Sequence, residues 1–456
     1  MASQERLYQL ANKPVGRLLW QYSLPSVVGM LVMALYNVAD RVFIGNWVGP
    51  DAIAGLAVTF PIMNLATAIG VLVGVGSSAK VSIDLGMDDR GKAEETLGNA
   101  LSLTFINAAI YMTVFYIFLE PLLRAFGASD ATLPYAADYM EVLMPGLLLT
   151  NIAYGMNNIM RASGYPKRAM YTMLIGAVVN VVLDPIFIYV FDWGIAGAAW
   201  ATVIAMAVSA VFVMAHFFRK DVVVGLHWRT LRLRWHLVWG IIAIGAAPAL
   251  VNAASCAINA LVNNALADLG TDRDIGAAGI MVTYTSLLVT VVLGFCQGAQ
   301  PIIGYNYGAG NYHRLRRTYF LAVIAASAVT TIGAIIGLLY PRNVGMVFTD
   351  DAALLDCTQK ALSICLWAFP VVGFQIISSM FFQSIGKARQ SIFLSLLRQV
   401  IFMIPFLFVF PRIWQVDGVW MSFPLSDLCA TVVTVFLIAV QLRKFRAVEH
   451  PAQQVS

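Results

Sequence analysis

Apolar runs of about 20 residues or more recur along this chain from Leu18 to near the carboxyl end, separated by short polar, basic or glycine-containing breaks. A run of that length, at 1.5 Å rise per residue, spans the hydrocarbon core of a bilayer as a helix. The pattern predicts twelve spans, at about 17–44, 53–79, 95–119, 135–158, 168–191, 195–217, 237–266, 276–302, 316–340, 357–382, 390–411 and 416–441. Several exceed the length needed to cross, so tilt or kinks are expected, with Pro25 and Pro248 as the kink sites in the first and seventh spans.

The two halves of the pattern repeat. Pro25 matches Pro248, Leu85-Gly86 matches Tyr307-Gly308, Phe126 matches Phe348, Arg161-Ala-Ser-Gly164 matches Gln383-Ser-Ile-Gly386, and Gly197-Ala-Ala-Trp200 resembles Gly418-Val-Trp420. The offset stays between 221 and 223 (248 − 25 = 223; 418 − 197 = 221), which describes a duplicated six-span unit. An even number of crossings makes the repeats parallel, one of the known transporter architectures. The division is an amino-terminal lobe at 1–216, a linker at 217–236 and a carboxy-terminal lobe at 237–456. The linker holds five basic residues and the amphipathic run LHWRTLRLRW, suited to an inner headgroup layer.

Lys and Arg fall on alternate loops: Arg6, Lys13 and Arg17, then Lys80, Arg90 and Lys92, and so on to Arg443, Lys444 and Arg446. The opposite loops hold only Arg41, Arg124, Arg273, Arg342, Arg412 and Lys360. By the positive-inside rule both termini are cytoplasmic. Composition agrees with a multi-pass membrane protein: 60% of the 456 residues are hydrophobic and 12% charged, against roughly 25% charged in a soluble domain. The net charge of +5 comes from these loops and is no sign of nucleic-acid binding. The first apolar run is too long for a cleavable signal peptide. The five cysteines lack metal-ligand spacing and read as packing residues.

Candidate chemistry lies in polar groups inside the spans. An ionisable side chain at membrane depth costs about 2.5–3.5 kcal/mol on insertion scales, so it marks a functional site by default. Asn180-Val-Val-Leu-Asp184-Pro185 puts Asn180 and Asp184 on one helix face, and Pro185 frees the Val181 carbonyl. Asp184 precedes and Thr202 follows the turn at Asp192-Trp-Gly194 by about eight residues, which sets both about 12 Å below it. Asp40 lies in the outer part of the first span, one turn from Asn37. Two carboxylates, an amide and a hydroxyl suit a hard monovalent cation such as Na⁺, or a transferable proton, and the residue types do not choose between them. The competing structural readings are a hydrogen-bonded Asp184 and a solvated Asp40. Glu141, in the outer part of the fourth span, and Asp427, in the twelfth, both read as structurally paired, with solvation and lining of the second lobe's interior as their alternatives, and Arg398 reads as snorkelling to the inner interface. Tyr36, Asn37, Tyr139, Tyr154, Met156, Asn157, Met173 and Met206 are candidate lining for a cavity in the first lobe.

Walker A, HExxH and GxSxG motifs are absent, which predicts a protein that is neither an enzyme nor its own ATP engine. At these residues the chain resembles the multidrug and toxic compound extrusion (MATE) transporters, over about residues 12–446. The resemblance rests on Pro25, Asn37-Val-Ala-Asp40-Arg-Val-Phe-Ile-Gly45, Leu85-Gly86, Arg161-Ala-Ser-Gly164, Asn180 to Pro185, Gly197-Ala-Ala, Gly304-Tyr-Asn-Tyr-Gly308 and Gly418-Val-Trp420. It implies an all-α membrane protein of twelve helices, two six-helix lobes in a V, residing in a prokaryotic cytoplasmic membrane. It also implies antiport of Na⁺ or H⁺ against organic, often cationic compounds, with no cofactor and no ATPase subunit. The family's first-lobe cation site falls on Asp40, Asn180, Asp184 and Thr202, and its helix 1 bend on Pro25. The acidic second-lobe site of one branch has no counterpart here, which places the chain with the members coupled through the first lobe. The alternative function is a lipid or lipid-linked sugar flippase. Such a protein needs a cationic cleft, and intramembrane Arg and Lys are few. A receptor or membrane enzyme fits the duplicated parallel repeat poorly.

Overall fold

The computed structural model describes residues 2–47, 50–130 and 132–449, apart from the side chains of Asn37, of most of 41–57 and of a few terminal positions. Among them there is no strand; the chain is a succession of long helices. The first repeat comprises α1 (Val15–Trp47), α2 (Pro50–Gly86), α3 (Arg90–Ile117), α4 (Leu133–Ala162), α5 (Pro166–Pro185, prolonged by a π-helical turn at Ile186–Val190) and α6 (Gly194–Phe217). The second comprises α7 (Trp235–Leu269), α8 (Asp272–Gly308), α9 (Tyr312–Leu339), α10 (Ala352–Cys365 with Pro370–Ser384), α11 (388–414) and α12 (416–449).

Among the described residues, nine helical stretches are long and apolar enough to cross a membrane, and a tenth if the bent pair in α10 is one span. Two further features of the helices make the number twelve. The 61-residue stretch Ala388–Val448 is two spans, because Gln415 has φ 49° and ψ −129° and the chain reverses there. Helix α4, 30 residues long, is the remaining span; it is less apolar because it carries Asp138, Glu141, Asn151, Asn157, Asn158 and Arg161, the last four of them buried.

The repeat shows in the backbone. Gly194 and Gln415, 221 apart, both take positive φ at the reversal between the last two helices of a repeat. Gly164 and Gly386, 222 apart, do so after the fourth. Three residues beyond each reversal, Gly197 lies against the Phe187 carbonyl and Gly418 against that of Phe410, so closely that a Cβ would meet backbone at 2.8 and 2.2 Å.

Packing between repeats is confined to one end. Helix α1 packs on α8, and α2 on α7 and α8. The contacts run through Gly76 against Ile241, Gly245 against Leu72, Gly86 against Tyr305 and Gly308 against Ile83. A Cβ at any of these glycines would sit 1.8–2.1 Å from a carbonyl oxygen of the other repeat. Of these contacts, Gly86–Tyr305 and Gly308–Ile83 are related by the internal offset (86 + 222 = 308; 83 + 222 = 305), so this part of the seal is two-fold-like. At this end the apolar cores are shared: Leu18, Leu19 and Tyr22 of α1 pack with Phe295 and Ile302 of α8, and Val238 and Ile241 of α7 join the core of α2–α6. At the other end each repeat has its own core, one around Leu123, Tyr139, Met140 and Ile188, the other around Val262, Leu266, Leu362 and Trp420. Shared cores at one end and separate ones at the other make the molecule a V.

The short helix Ala2–Asn12 straps the closed end. Arg6 Nη1 donates to the Gly164 carbonyl (3.1 Å) in the first repeat, while Arg314 of α9 donates to the carbonyls of Leu10 (3.2 Å) and Lys13 (2.8 Å). The segment from 218 to 234 differs from a free amphipathic element: it is mostly irregular, with one 3₁₀ turn at Trp228–Leu231, and is pinned to α3. Asn99 accepts from the Arg234 N–H (2.7 Å) and donates to the Thr230 and Arg232 carbonyls, and Arg234 pairs with Glu95 at 2.7 Å. The sharp bend at a helix break is in α10. Helices α1 and α7 run unbroken through Pro25 and Pro248, whereas α10 turns by 58° where Pro370 opens its second segment without an N–H to give.

Candidate functional site

On α5 the exposed Val178 and Val182 form one face, and Asn180 (1% exposed) and Asp184 (fully buried) the opposite one. That division is the 3.6-residue period at work. Asn180 Nδ2 donates to Asp184 Oδ1 (3.3 Å) and to Thr202 Oγ1 of α6 (3.2 Å), so the three residues read as level from their spacing are joined. Asp40 of α1 reaches the same place and interacts with the Asp184 carboxyl side chain to side chain. Tyr36, one turn earlier on α1, feels the charge of both carboxyls. The site therefore ties α1, the helix shared with the second repeat, to the α5–α6 pair. The π-helical turn starts directly after Pro185; such turns are frequent at functional sites.

The arrangement has too few donors. Asn180 Oδ1 and Asp184 Oδ2 are buried without a hydrogen-bond donor. Buried oxygens left in this way cost about 1–3 kcal/mol each, more when charged. Two carboxyls in contact cannot both be ionised unless a cation or a shared proton stands between them. Carboxylate, amide and hydroxyl oxygens are hard ligands, so the residues fit a small monovalent cation as well as a proton.

The candidate cavity lining divides. Tyr36, Tyr154 and Met173 are partly exposed. Met156 (fully buried) and Tyr139 (2% exposed) belong to packed cores rather than to a wall, and Met206 is buried with 8% of its surface exposed. Asn157 is buried too, donating to the Ala169 carbonyl (2.6 Å) and accepting from Arg161. The side chain of Asn37 lies outside the described residues. Glu141 is exposed. Arg398 does not snorkel: it pairs with Asp427, which is 2% exposed, across α11 and α12 at 2.5 Å. Arg161, which the sequence offers only as part of a repeated and family-like motif, is a buried cation; its neighbourhood of three asparagines in one helix is the signal for it.

A family model described as MatE matches residues 25–186 and 248–409, two stretches offset by 223. The multidrug export protein MepA of Staphylococcus aureus is 26% identical over 448 residues, covering 96% of each chain. A protein named FAD transporter from Shewanella oneidensis is 26% identical over 438 residues, covering 94% of this chain and 95% of its own. A solved structure described as the outward-facing conformation of a multidrug resistance MATE family transporter of the MOP superfamily superposes with a TM-score of 0.90 at 25% identity, over 96% of this chain and 98% of that one. With twelve helices in two six-helix repeats, a V closed at one end and the family model matched in both halves, the chain belongs to the MATE family of membrane transporters.

Proposed function

We propose that this protein is a secondary active exporter that exchanges Na⁺ or H⁺ against amphipathic organic compounds by alternating access. The reading rests above all on the buried oxygens of Asn180 and Asp184 left without donors beside Asp40. A site short of positive charge, joining α1 to α5 and α6, is suited to binding an ion in one state and releasing it in another. The coupling group is Asp40, Asn180, Asp184 and Thr202, with Asp184 and Asp40 supplying the charge and Thr202 fixing the Asn180 amide. Filling it with a cation or proton draws α1 toward α5; emptying it restores carboxylate repulsion. Only such a difference between states can move the equilibrium between them.

The basic loops support a closed end, with both termini, that faces the cytoplasm, so this conformation opens outward. In this reading 1–216 and 237–456 act as the two lobes, and 217–236 as the strap between them. Substrates enter the V between the lobes, and the names MepA and FAD transporter among the relatives support organic compounds of differing charge. The flippase alternative lacks a specific supporting observation.

The test is dye efflux in proteoliposomes and inverted vesicles with Na⁺ and pH gradients imposed separately. Efflux should follow one gradient at least. Efflux indifferent to both would sink the antiport reading.

A further inference from the structure

Arg161, in the last turn of α4, is 3% exposed and forms no ion pair among the described residues. Its donors go to neutral amide oxygens: Nη2 to Asn157 Oδ1 (2.7 Å), Nη1 to Asn158 Oδ1 (3.4 Å) and to Gln297 Oε1 (2.5 Å). Nε is buried with no acceptor. Among the described residues, Tyr154 is the titratable group that acts on its charge. A buried guanidinium without a counter-charge is costly, and the partial negative charge of a helix carboxyl end offsets only a part. The fold does not demand a cation here. The matching position of the second repeat, 222 residues on, is Gln383, equally buried and satisfied by one bond to the Ile244 carbonyl (3.1 Å).

The place of Arg161 is informative. Gln297 is on α8, so its bond to Arg161 crosses from one repeat to the other. It also donates to Met30 Sδ of α1 (3.5 Å) and interacts with Tyr154. Gln297, Met30 and Tyr154 are partly exposed, and the next residue, Gly298, is already packed against Ser23 in the closed end. Arg161 therefore lies just beneath the floor of the cleft, with the Gln297 carboxamide as its lid.

We propose that Arg161 is an anion-recognition site for the carboxylate or phosphate of an amphipathic organic substrate, and that Gln297 Oε1 stands in for that anion while the repeats are sealed at this end. When the seal parts, Gln297 leaves with α8 and exposes a guanidinium fork that binds a planar carboxylate through two donors. When it closes, the returning amide oxygen competes for the same donors and loosens the substrate. The cleft thus admits zwitterionic and anionic compounds as well as cations. This deepens the exporter reading and rests on it.

The test uses a matched pair of dyes, rhodamine 6G, a cationic ethyl ester, and its free acid. Binding of each to the purified full-length protein in nanodiscs is measured by fluorescence polarisation, and transport of the ester is measured in proteoliposomes. Arg161→Gln should weaken the acid about tenfold and leave the ester unchanged, as loss of a charge-assisted contact predicts. Arg161→Lys should restore part of the acid affinity. Gln297→Ala removes the competing oxygen and should tighten the acid several-fold, a result that stands even if Arg161→Gln fails to fold. Equal effects on both dyes, or an unchanged acid-to-ester ratio in Gln297→Ala, would overturn the proposal. So would loss of the acid preference in millimolar inorganic phosphate, which would mark a site for small inorganic anions. Ester transport that fails in the wild type would indict the exporter reading instead, since dye binding is scored without it.

Discussion

Two buried acids in the spans have opposite surroundings. Asp427 has a cation of its own in Arg398, and Gln375 donates to its main-chain carbonyl. Asp184 has one amide donor, a second carboxyl and an oxygen without a partner. By the repeat offset, Arg398 and Asp427 occupy positions one turn from those of Asn180 and Thr202 on the corresponding helices (398 − 221 = 177; 427 − 222 = 205). The second repeat thus holds a permanent guanidinium on the helix pair where the first has carboxyl and amide oxygens without a cation of their own among the described residues. Asp184→Asn and Asp40→Asn are therefore expected to abolish ion-coupled efflux while leaving membrane insertion intact. Asp427→Asn should keep coupling but lower stability by about 2 kcal/mol, because Arg398 loses its partner in a partly buried place. Thermal melts and gradient-driven efflux on the same preparations check this. An Asp427→Asn protein that is stable yet uncoupled would move the ion site to the second repeat.

Helix reversals and proline positions carry predictions of their own. Gln415 occupies a backbone region natural to glycine, where the first repeat has Gly194. Strain of this kind is worth about 1–3 kcal/mol, so Gln415→Gly should raise the melting temperature without altering transport. A lower melting temperature would show that the Gln415 side chain outweighs the strain. Pro25 is buried in an unbroken α1, between Ser23 and Val27, which touch Gly298 and Gly294 of α8. Its missing N–H leaves the Gln21 carbonyl without a helical donor, making this the soft point of the one helix that links the ion site to the other repeat. Pro25→Ala should lower turnover more than drug affinity; parallel measurements of binding and transport rate decide, and a loss in affinity alone would contradict it.

The closed end is held by backbone-to-backbone contact. Gly245 has no space for a side chain, since its Cβ would stand 1.8 Å from the Leu72 carbonyl oxygen, and no rotamer change relieves a clash with backbone. Gly245→Val should force the repeats apart at this end and shift the population away from the present conformation, with overpacking of about 1–3 kcal/mol as the driving term. Spin-label distances across that end, between α2 and α7, should lengthen by several ångströms. Distances equal to the wild type's would mean that the seal tolerates bulk and that its glycines have another cause.

The sequence by itself determined what depends on period, length and inventory. Twelve crossings follow from bilayer thickness, even though α4 hides its span behind buried asparagines. The duplication follows from a constant offset, and the pairing of Asn180, Asp184 and Thr202 from helical rise about a tight turn. Only the tertiary structure decided what depends on faces meeting across the molecule. Helical spacing ranks Tyr139, Met156 and Tyr154 alike as lining, but packing buries the first two and leaves the third at the cleft. Snorkelling is open to any arginine near a helix end, yet Arg398 turns inward because Asp427 lies opposite. A proline leaves a helix free to bend, and only the structure shows that the chain breaks its helix before Pro370 in α10 and runs on as one helix through Pro25 in α1. The same limit hid Arg161: one repeat places an arginine where the other places a glutamine, and only contact with Gln297 across the seal shows that its charge is buried and unanswered.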